Sequence, residues 1–132
     1  MQKLTEIGVD HVVVLHAERS VVRWEPDRAE RNIAKLVNVA REASMQSRRV
    51  WLPTVSGPLR ADQVAGSSVS LAEPDGDALS LAATTVLIGP EGGWTPNELN
   101  ITASHVSLGK SILRVETAAL VAAANLSAQR DR

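Results

Sequence analysis

The chain has 132 residues, 44% of them hydrophobic, with three tryptophans but no phenylalanine, tyrosine or cysteine. Its length suits a single domain with one core, and the lack of cysteine excludes disulfides and thiolate metal sites. A net charge of -1 gives no strong field that would attract nucleic acid or acidic lipid. No apolar run reaches the ~18 residues of a membrane span, and residues 1–8 lack the hydrophobic run of a signal peptide, so we expect a cytoplasmic location.

Strand-like and helix-like segments alternate along the chain. Apolar or β-branched runs predict strands at residues 11–15, 50–52, 69–72, 84–88 and 106–108. Helical periodicity and capping residues predict helices at residues 2–7, 28–48, 59–64 and 116–129, and one that opens at residue 95. In that opening, Thr95 is a typical N-cap, Pro96 suits the first helical position and Glu98 completes a capping box. Residues 74–77 predict a turn. The alternation favours a parallel α/β sheet.

Two glycine-bearing segments carry the strongest functional signal. Residues 87–94 (LIGPEGGW) and 108–118 (LGKSILRVETA) each run from an apolar strand through a loop into a helix. Ligands bind open α/β sheets outside the carboxyl ends of the strands, and glycine lets backbone atoms approach a ligand closely. The two segments therefore predict one pocket built largely from backbone atoms.

Other interpretations of these segments are weaker. Lys110 and Ser111 follow Gly109 as in a phosphate loop, yet that motif needs a glycine at position 104, which is Ser104. The carboxylate of Glu91 would also repel a phosphate, and the glycine spacing does not fit a dinucleotide-binding motif. Two structural alternatives stay open: the glycines of the first segment serving a tight turn alone, and the small residues of 112–124 serving core packing.

Histidines, acidic residues and basic residues elsewhere indicate no comparable site. The three histidines lack ligand spacing, and the acidic residues of 73–77 lack a full calcium-loop pattern, so we expect no metal. The basic residues of 28–49 are expected to form a solvated face, with contact to a nucleic-acid backbone as the alternative.

Beyond single motifs, the chain resembles the catalytic domain of RsmE-type 16S ribosomal RNA uridine N3-methyltransferases. These belong to the SPOUT superfamily of RNA methyltransferases that use S-adenosylmethionine (SAM). Five segments carry the resemblance, in order and at natural spacing: residues 2–9, 18–22, 42–49, 88–98 and 108–118. Together they extend over nearly the whole chain, and the last two contain the glycine loops.

The resemblance implies a fold that periodicity alone does not: a parallel sheet with helices on both faces, whose C-terminal portion forms a trefoil knot. It implies a homodimer with the cofactor pocket near the interface. It also implies that residues 1–132 form one methyltransferase domain, without the family's N-terminal RNA-binding barrel of the PUA type and without the domain's first strand. The expected partners are 16S ribosomal RNA and a second copy, with no membrane. The alternative is a non-catalytic cofactor-binding or dimerisation module.

Roles for individual residues follow from the resemblance. SAM is the expected cofactor, and its expected contacts are Ile88, Gly89, Glu91, Gly92, Gly93, Leu108, Gly109, Ile112 and Leu113. Arg114 is the expected catalytic cation, because a fixed positive charge would stabilise the uracil when N3 loses its proton. Glu116 would orient Arg114 or accept a proton. The expected RNA contacts are Arg19, Arg23 and Arg49.

Overall fold

The computed structural model describes residues 1–64 and 66–131, which form an α/β arrangement. The strands are β1 (His11–Leu15), β2 (Thr54–Leu59), β3 (Val69–Ala78), β4 (Thr85–Leu87) and β5 (His105–Ser107). The helices are α1 (Gln2–Ile7), α2 (Pro26–Gln46), α3 (Ala61–Val64), α4 (Pro96–Leu99) and α5 (Val115–Arg130). Among these described helices, none is both long enough and apolar enough to span a bilayer.

The strands form two parallel sheets. β1 pairs with β2, and β3 lies between β4 and β5 in the second sheet. The register places His11 beside Thr54 in the first sheet, and Leu71 beside both Leu87 and His105 in the second. Parallel neighbours need a crossover connection, and α2 provides the one between β1 and β2. The prediction of a parallel α/β class is confirmed.

Local signals in the sequence explain how several elements begin and end. α1 ends at Gly8, whose φ of 109° is left-handed and suits glycine. α4 begins with the predicted capping box between Thr95 and Glu98. The main core lies on the second sheet, where Leu71 and Leu87 pack with Trp94. Apart from β2 and the end of β3, the predicted elements start and end within two residues of the observed ones.

The strand predicted at residues 50–52 is wrong. Val50, Trp51 and Leu52 are exposed, and the strand begins after Pro53, at residues 54–59. The observed strand contains glycine and proline, which are poor strand formers, so its local signal is weak. Pairing with β1 places the strand at residues 54–59. The two backbones approach closely at Gly57, which has a φ of 102° and where a Cβ would collide with the backbone of β1.

The turn predicted at residues 74–77 is also wrong, because this turn was expected to follow the end of β3. β3 continues through this segment to Ala78, with a register irregularity in which Ala72 and Asp77 both face Val106 of β5. A Cβ on Gly76 would collide with the backbone of Val106. The turn-forming residues therefore make a bulge against β5, because a neighbouring strand supplies backbone partners that local propensity does not include.

Candidate functional site

Two loops leave the same edge of the second sheet. The first loop, residues 88–94, follows β4, and the second loop, residues 108–114, follows β5. Because β4 and β5 both pair in parallel with β3, the loops emerge on either side of the end of β3. Neighbouring strands lie about 4.8 Å apart, which puts the starts of the two loops roughly 10 Å apart. This is the edge at which open α/β sheets bind ligands.

Trp94 fixes the first loop onto β3. Its side chain is buried, and indole Nε1 donates a hydrogen bond of 3.1 Å to the carbonyl oxygen of Ala72. Gly89 lies against the ring, since a Cβ there would come within 3.0 Å of the indole. Gly89 therefore makes room for Trp94, a packing role that the sequence pattern did not reveal.

Arg19, in the segment after β1, also contacts the first loop. Its Nη1 donates to the carbonyl oxygens of Gly92 and Trp94, each at 3.1 Å. A Cβ on Gly92 would lie 3.2 Å from Cβ of Arg19, which is a tight contact. The role of Arg19 in RNA binding stays a prediction. The structure adds that Arg19 positions the first loop.

Glu98 joins the segment after β1 to α4. Glu98 is buried, with 4% of the residue exposed. Oε1 accepts a hydrogen bond from the backbone N–H of Glu18 at 2.8 Å, and Oε2 accepts from the backbone N–H of Thr95 at 3.0 Å. The capping box predicted the second bond. The bond to Glu18, across 80 positions of the chain, has no signal in the sequence.

The second loop is open beside its glycine. Gly109 has a φ of 125° and Gly93 of the first loop has a φ of 72°, and a Cβ at either position would meet no heavy atom within 4 Å. Ile112 is 93% exposed, while Leu108 and Leu113 are half-buried. Free space therefore borders the backbone at both loops, and apolar side chains border the second. These features fit a small ligand held by backbone atoms and an apolar surface.

Arg114 and Glu116 stand where the second loop enters α5. Arg114 is the N-cap residue of α5, and its carbonyl oxygen accepts the N–H of Ala118 at 2.8 Å. Both side chains are exposed, and within residues 1–64 and 66–131 neither forms an ion pair. A guanidinium and a carboxylate are thus available to a ligand at the start of the helix.

The other two arginines expected to contact RNA bind backbone atoms of the protein. Nη2 of Arg23 donates to the carbonyl oxygen of Glu18 at 3.1 Å. Arg49, whose side chain is 11% exposed, donates to the carbonyl oxygen of Val9 at 2.7 Å and pairs with Asp10 at 2.9 Å. Arg49 therefore stabilises the turn between α1 and β1, and its contact with RNA stays a prediction.

The expected cofactor contacts divide between two places. Ile88, Gly89 and Glu91 line a cavity of about 770 Å³ between β1 and β4. The expected cofactor contacts of the second loop do not line this cavity.

In the described part of the chain, no group of three or more histidine, aspartate or glutamate side chains is placed to hold a metal ion.

A family model described as an RNA methyltransferase domain matches residues 1–127. The chain belongs to the RNA methyltransferase domain family. Ribosomal RNA small subunit methyltransferase E of Synechocystis is 36% identical to this RNA methyltransferase domain over 144 residues, which cover 94% of this chain and 46% of that protein. The protein of the same name from Mycobacterium tuberculosis is 32% identical, with coverage of 89% and 53%. The domain thus spans about half the length of these curated relatives.

Solved structures match the RNA methyltransferase domain as well. Ribosomal RNA small subunit methyltransferase E from Neisseria gonorrhoeae, bound to SAM, has a TM-score of 0.78 and 32% identity, and the match covers 94% of this chain and 57% of that chain. A Legionella pneumophila protein in complex with SAM has a TM-score of 0.80 and 26% identity, with coverage of 96% and 58%. These relatives confirm the resemblance to RsmE-type proteins.

Proposed function

We propose that this domain binds SAM at the two loops and transfers its methyl group to N3 of a uridine in 16S ribosomal RNA. The observation that carries the proposal is the pair of open glycine loops at one edge of a parallel sheet, in a member of an RNA methyltransferase family. The similar Neisseria protein has SAM bound, which supports SAM as the ligand. The choice of uridine N3 rests on the resemblance to RsmE-type proteins.

Backbone atoms and apolar side chains of the loops hold the cofactor in this proposal. The proposed contacts are Ile88, Gly89, Glu91, Gly92, Gly93, Leu108, Gly109, Ile112 and Leu113. The exposed side chain of Ile112 supports the assignment, because covering it with the adenosine portion removes apolar surface from water. The exposed carboxylate of Glu91 complements a positively charged ligand and repels phosphates.

Arg114 and Glu116 act on the uracil in this proposal. SAM, when bound, supplies a methyl group that bonds to N3 while the sulfur keeps the electron pair of the broken bond. Deprotonation of N3 spreads negative charge over the two flanking carbonyl oxygens, and the Arg114 guanidinium stabilises that charge. Glu116 takes the N3 proton, or it orients Arg114 while the N3 proton passes to water. The base must leave its stack to reach these side chains.

The remaining parts of the proposal rest on the resemblance. They are a C-terminal trefoil knot, a homodimer with the pocket near its interface, and RNA contacts by Arg19, Arg23 and Arg49. The resemblance also places a PUA-type barrel and a further strand in the family's full-length proteins. Arg19 and Arg23 lie in the segment after β1, and Arg19 contacts the first loop, which supports a place for both beside the substrate.

The alternative is a module that binds SAM or dimerises without catalysis. Titration calorimetry of the 132-residue chain with SAM, followed by transfer of a labelled methyl group to 16S ribosomal RNA, separates the two. We expect binding near one site per chain and label on a uridine. Binding without transfer would favour the alternative. No binding by a folded chain would refute both SAM-dependent functions.

A further inference from the structure

The second loop, residues 108–114, holds two basic side chains that the protein leaves unpaired. Lys110 and Arg114 are exposed, and neither forms an ion pair within the described residues. Several other cations are engaged by carboxylates or backbone carbonyls of the protein: Lys3, Arg19, Arg23, Arg49, Arg60 and Arg130. Lys110 and Arg114 are therefore available to a ligand at the edge of the sheet where the two loops emerge.

The two loops differ in charge. From residue 99 to residue 115 the sequence has no aspartate or glutamate, although the whole chain has a net charge of -1. Lys110 is thus a cation without an acidic neighbour in its own loop. The first loop, residues 88–94, has the exposed carboxylate of Glu91 and no lysine or arginine. By charge, the second loop attracts an anion and the first loop a cation.

A side-chain turn holds the backbone just before Lys110. The Ser107 hydroxyl accepts a hydrogen bond from the N–H of Gly109 and lies at the same 3.3 Å from its carbonyl oxygen, to which it donates. Because this turn fixes the backbone, less conformational freedom is lost when Lys110 binds a ligand. The exposed hydroxyl of Ser111 follows directly in the chain and is a second donor for the same anion.

An RNA phosphate is the anion that these groups suit best. The chain belongs to a family of RNA methyltransferase domains, and lysine and serine side chains commonly bind phosphates that position a nucleic-acid strand. Ser104 stands where a phosphate loop needs glycine, so exposed side chains and not a backbone cradle meet the anion. A base that leaves its stack also needs its backbone held beside it.

We propose that Lys110, together with Ser111, binds a phosphate of the substrate RNA next to the target uridine. The ammonium group holds the strand while the base is out of its stack, and Arg114 stays available for the uracil. Lys110 therefore contributes to RNA binding and not to the methyl-transfer step. This inference rests on the proposed binding of RNA at the two loops.

Acetylation of lysines, followed by mass spectrometry, tests where the RNA lies. Lys3, which pairs with Glu6 on α1, is the internal reference. 16S ribosomal RNA added with SAM should slow the acetylation of Lys110 by roughly fivefold or more and that of Lys3 by less than about twofold. SAM alone should leave the acetylation of Lys110 unchanged. Protection by SAM alone would overturn the proposal, because Lys110 would then bind the carboxylate of the cofactor. Equal acetylation of Lys110 with and without RNA would overturn it as well.

Substitutions separate RNA binding from chemistry. Lys110→Ala should raise the KM for RNA by roughly fivefold or more, with kcat within about twofold and SAM affinity unchanged. It should also reduce the slope of log affinity for RNA against log salt by about 0.7–0.9, the value for one phosphate contact. Lys110→Arg keeps the charge and should restore the KM to within about twofold. Lys3→Ala is the matched control and should change neither the KM nor the salt slope.

Failure of this inference differs from failure of the proposed function. If the unsubstituted chain methylates RNA while Lys110→Ala leaves the KM and the salt slope unchanged, the role of Lys110 is overturned and the function stands. If RNA protects Lys110 and no methyl group is transferred, the phosphate contact stands and the proposed reaction is overturned. A folded chain that binds SAM but no RNA would overturn both.

Discussion

Replacing Glu98 by alanine should strongly destabilise the domain. The carboxylate is buried and accepts hydrogen bonds from the backbone N–H groups of Glu18 and Thr95. Alanine would leave both donors without an acceptor, at a cost of about 1–3 kcal/mol for each. We expect a loss of roughly 3–4 kcal/mol in the free energy of unfolding, a large part of the total of about 5–15 kcal/mol for a typical domain.

Urea denaturation followed by tryptophan fluorescence measures this loss. Thr95→Ala removes only the hydroxyl half of the local cap and should cost about 1 kcal/mol. A clearly larger loss for Glu98→Ala therefore reports the bonds that the carboxylate itself accepts, from the backbone N–H groups of Glu18 and residue 95. Glu98→Gln keeps one acceptor and should fall between them. Asn97→Ala, on the exposed side of the same helix, should stay within about 0.5 kcal/mol of the unsubstituted chain. A Glu98→Ala loss no larger than that of Thr95→Ala would refute the reasoning.

Four further variants test the site and its support. Arg114→Ala should leave SAM affinity nearly unchanged and slow methyl transfer by ~100-fold or more. If SAM affinity and the rate of methyl transfer fell by the same factor, Arg114 would be a cofactor contact instead. Gly92→Val should weaken SAM binding at least tenfold in calorimetry, with cooperative unfolding retained, since valine displaces Arg19; unchanged binding would contradict this. Arg49→Lys should lower the free energy of unfolding by about 1–2 kcal/mol, because lysine cannot reproduce the forked contacts; a loss of RNA affinity alone would contradict this. Arg48→Gly should raise the free energy of unfolding by about 0.5–1 kcal/mol, because Arg48 has a φ of 56°, a left-handed conformation that glycine adopts without strain. A decrease in the free energy of unfolding would contradict this.

Local patterns in the sequence predicted most elements because they depend on residues close together in the chain. The capping box at Thr95 and the helix end at Gly8 are both present in the structure. The failures, at β2 and at the end of β3, occur where a neighbouring strand overrides weak or contrary local propensity. Gly57 and Gly76 mark both places, since each allows a close approach of backbones.

The amino-acid sequence by itself determined the α/β class, the two glycine loops and the resemblance to a methyltransferase family. Periodicity, caps and motifs depend only on residues that are close together in the chain. Only the tertiary structure revealed that Trp94 explains Gly89, that Arg19 holds the first loop, and that Glu98 binds the backbone of Glu18. It also revealed the cavity between β1 and β4. Such contacts join segments far apart in the chain, and which segments meet depends on how the whole chain packs and not on local pattern.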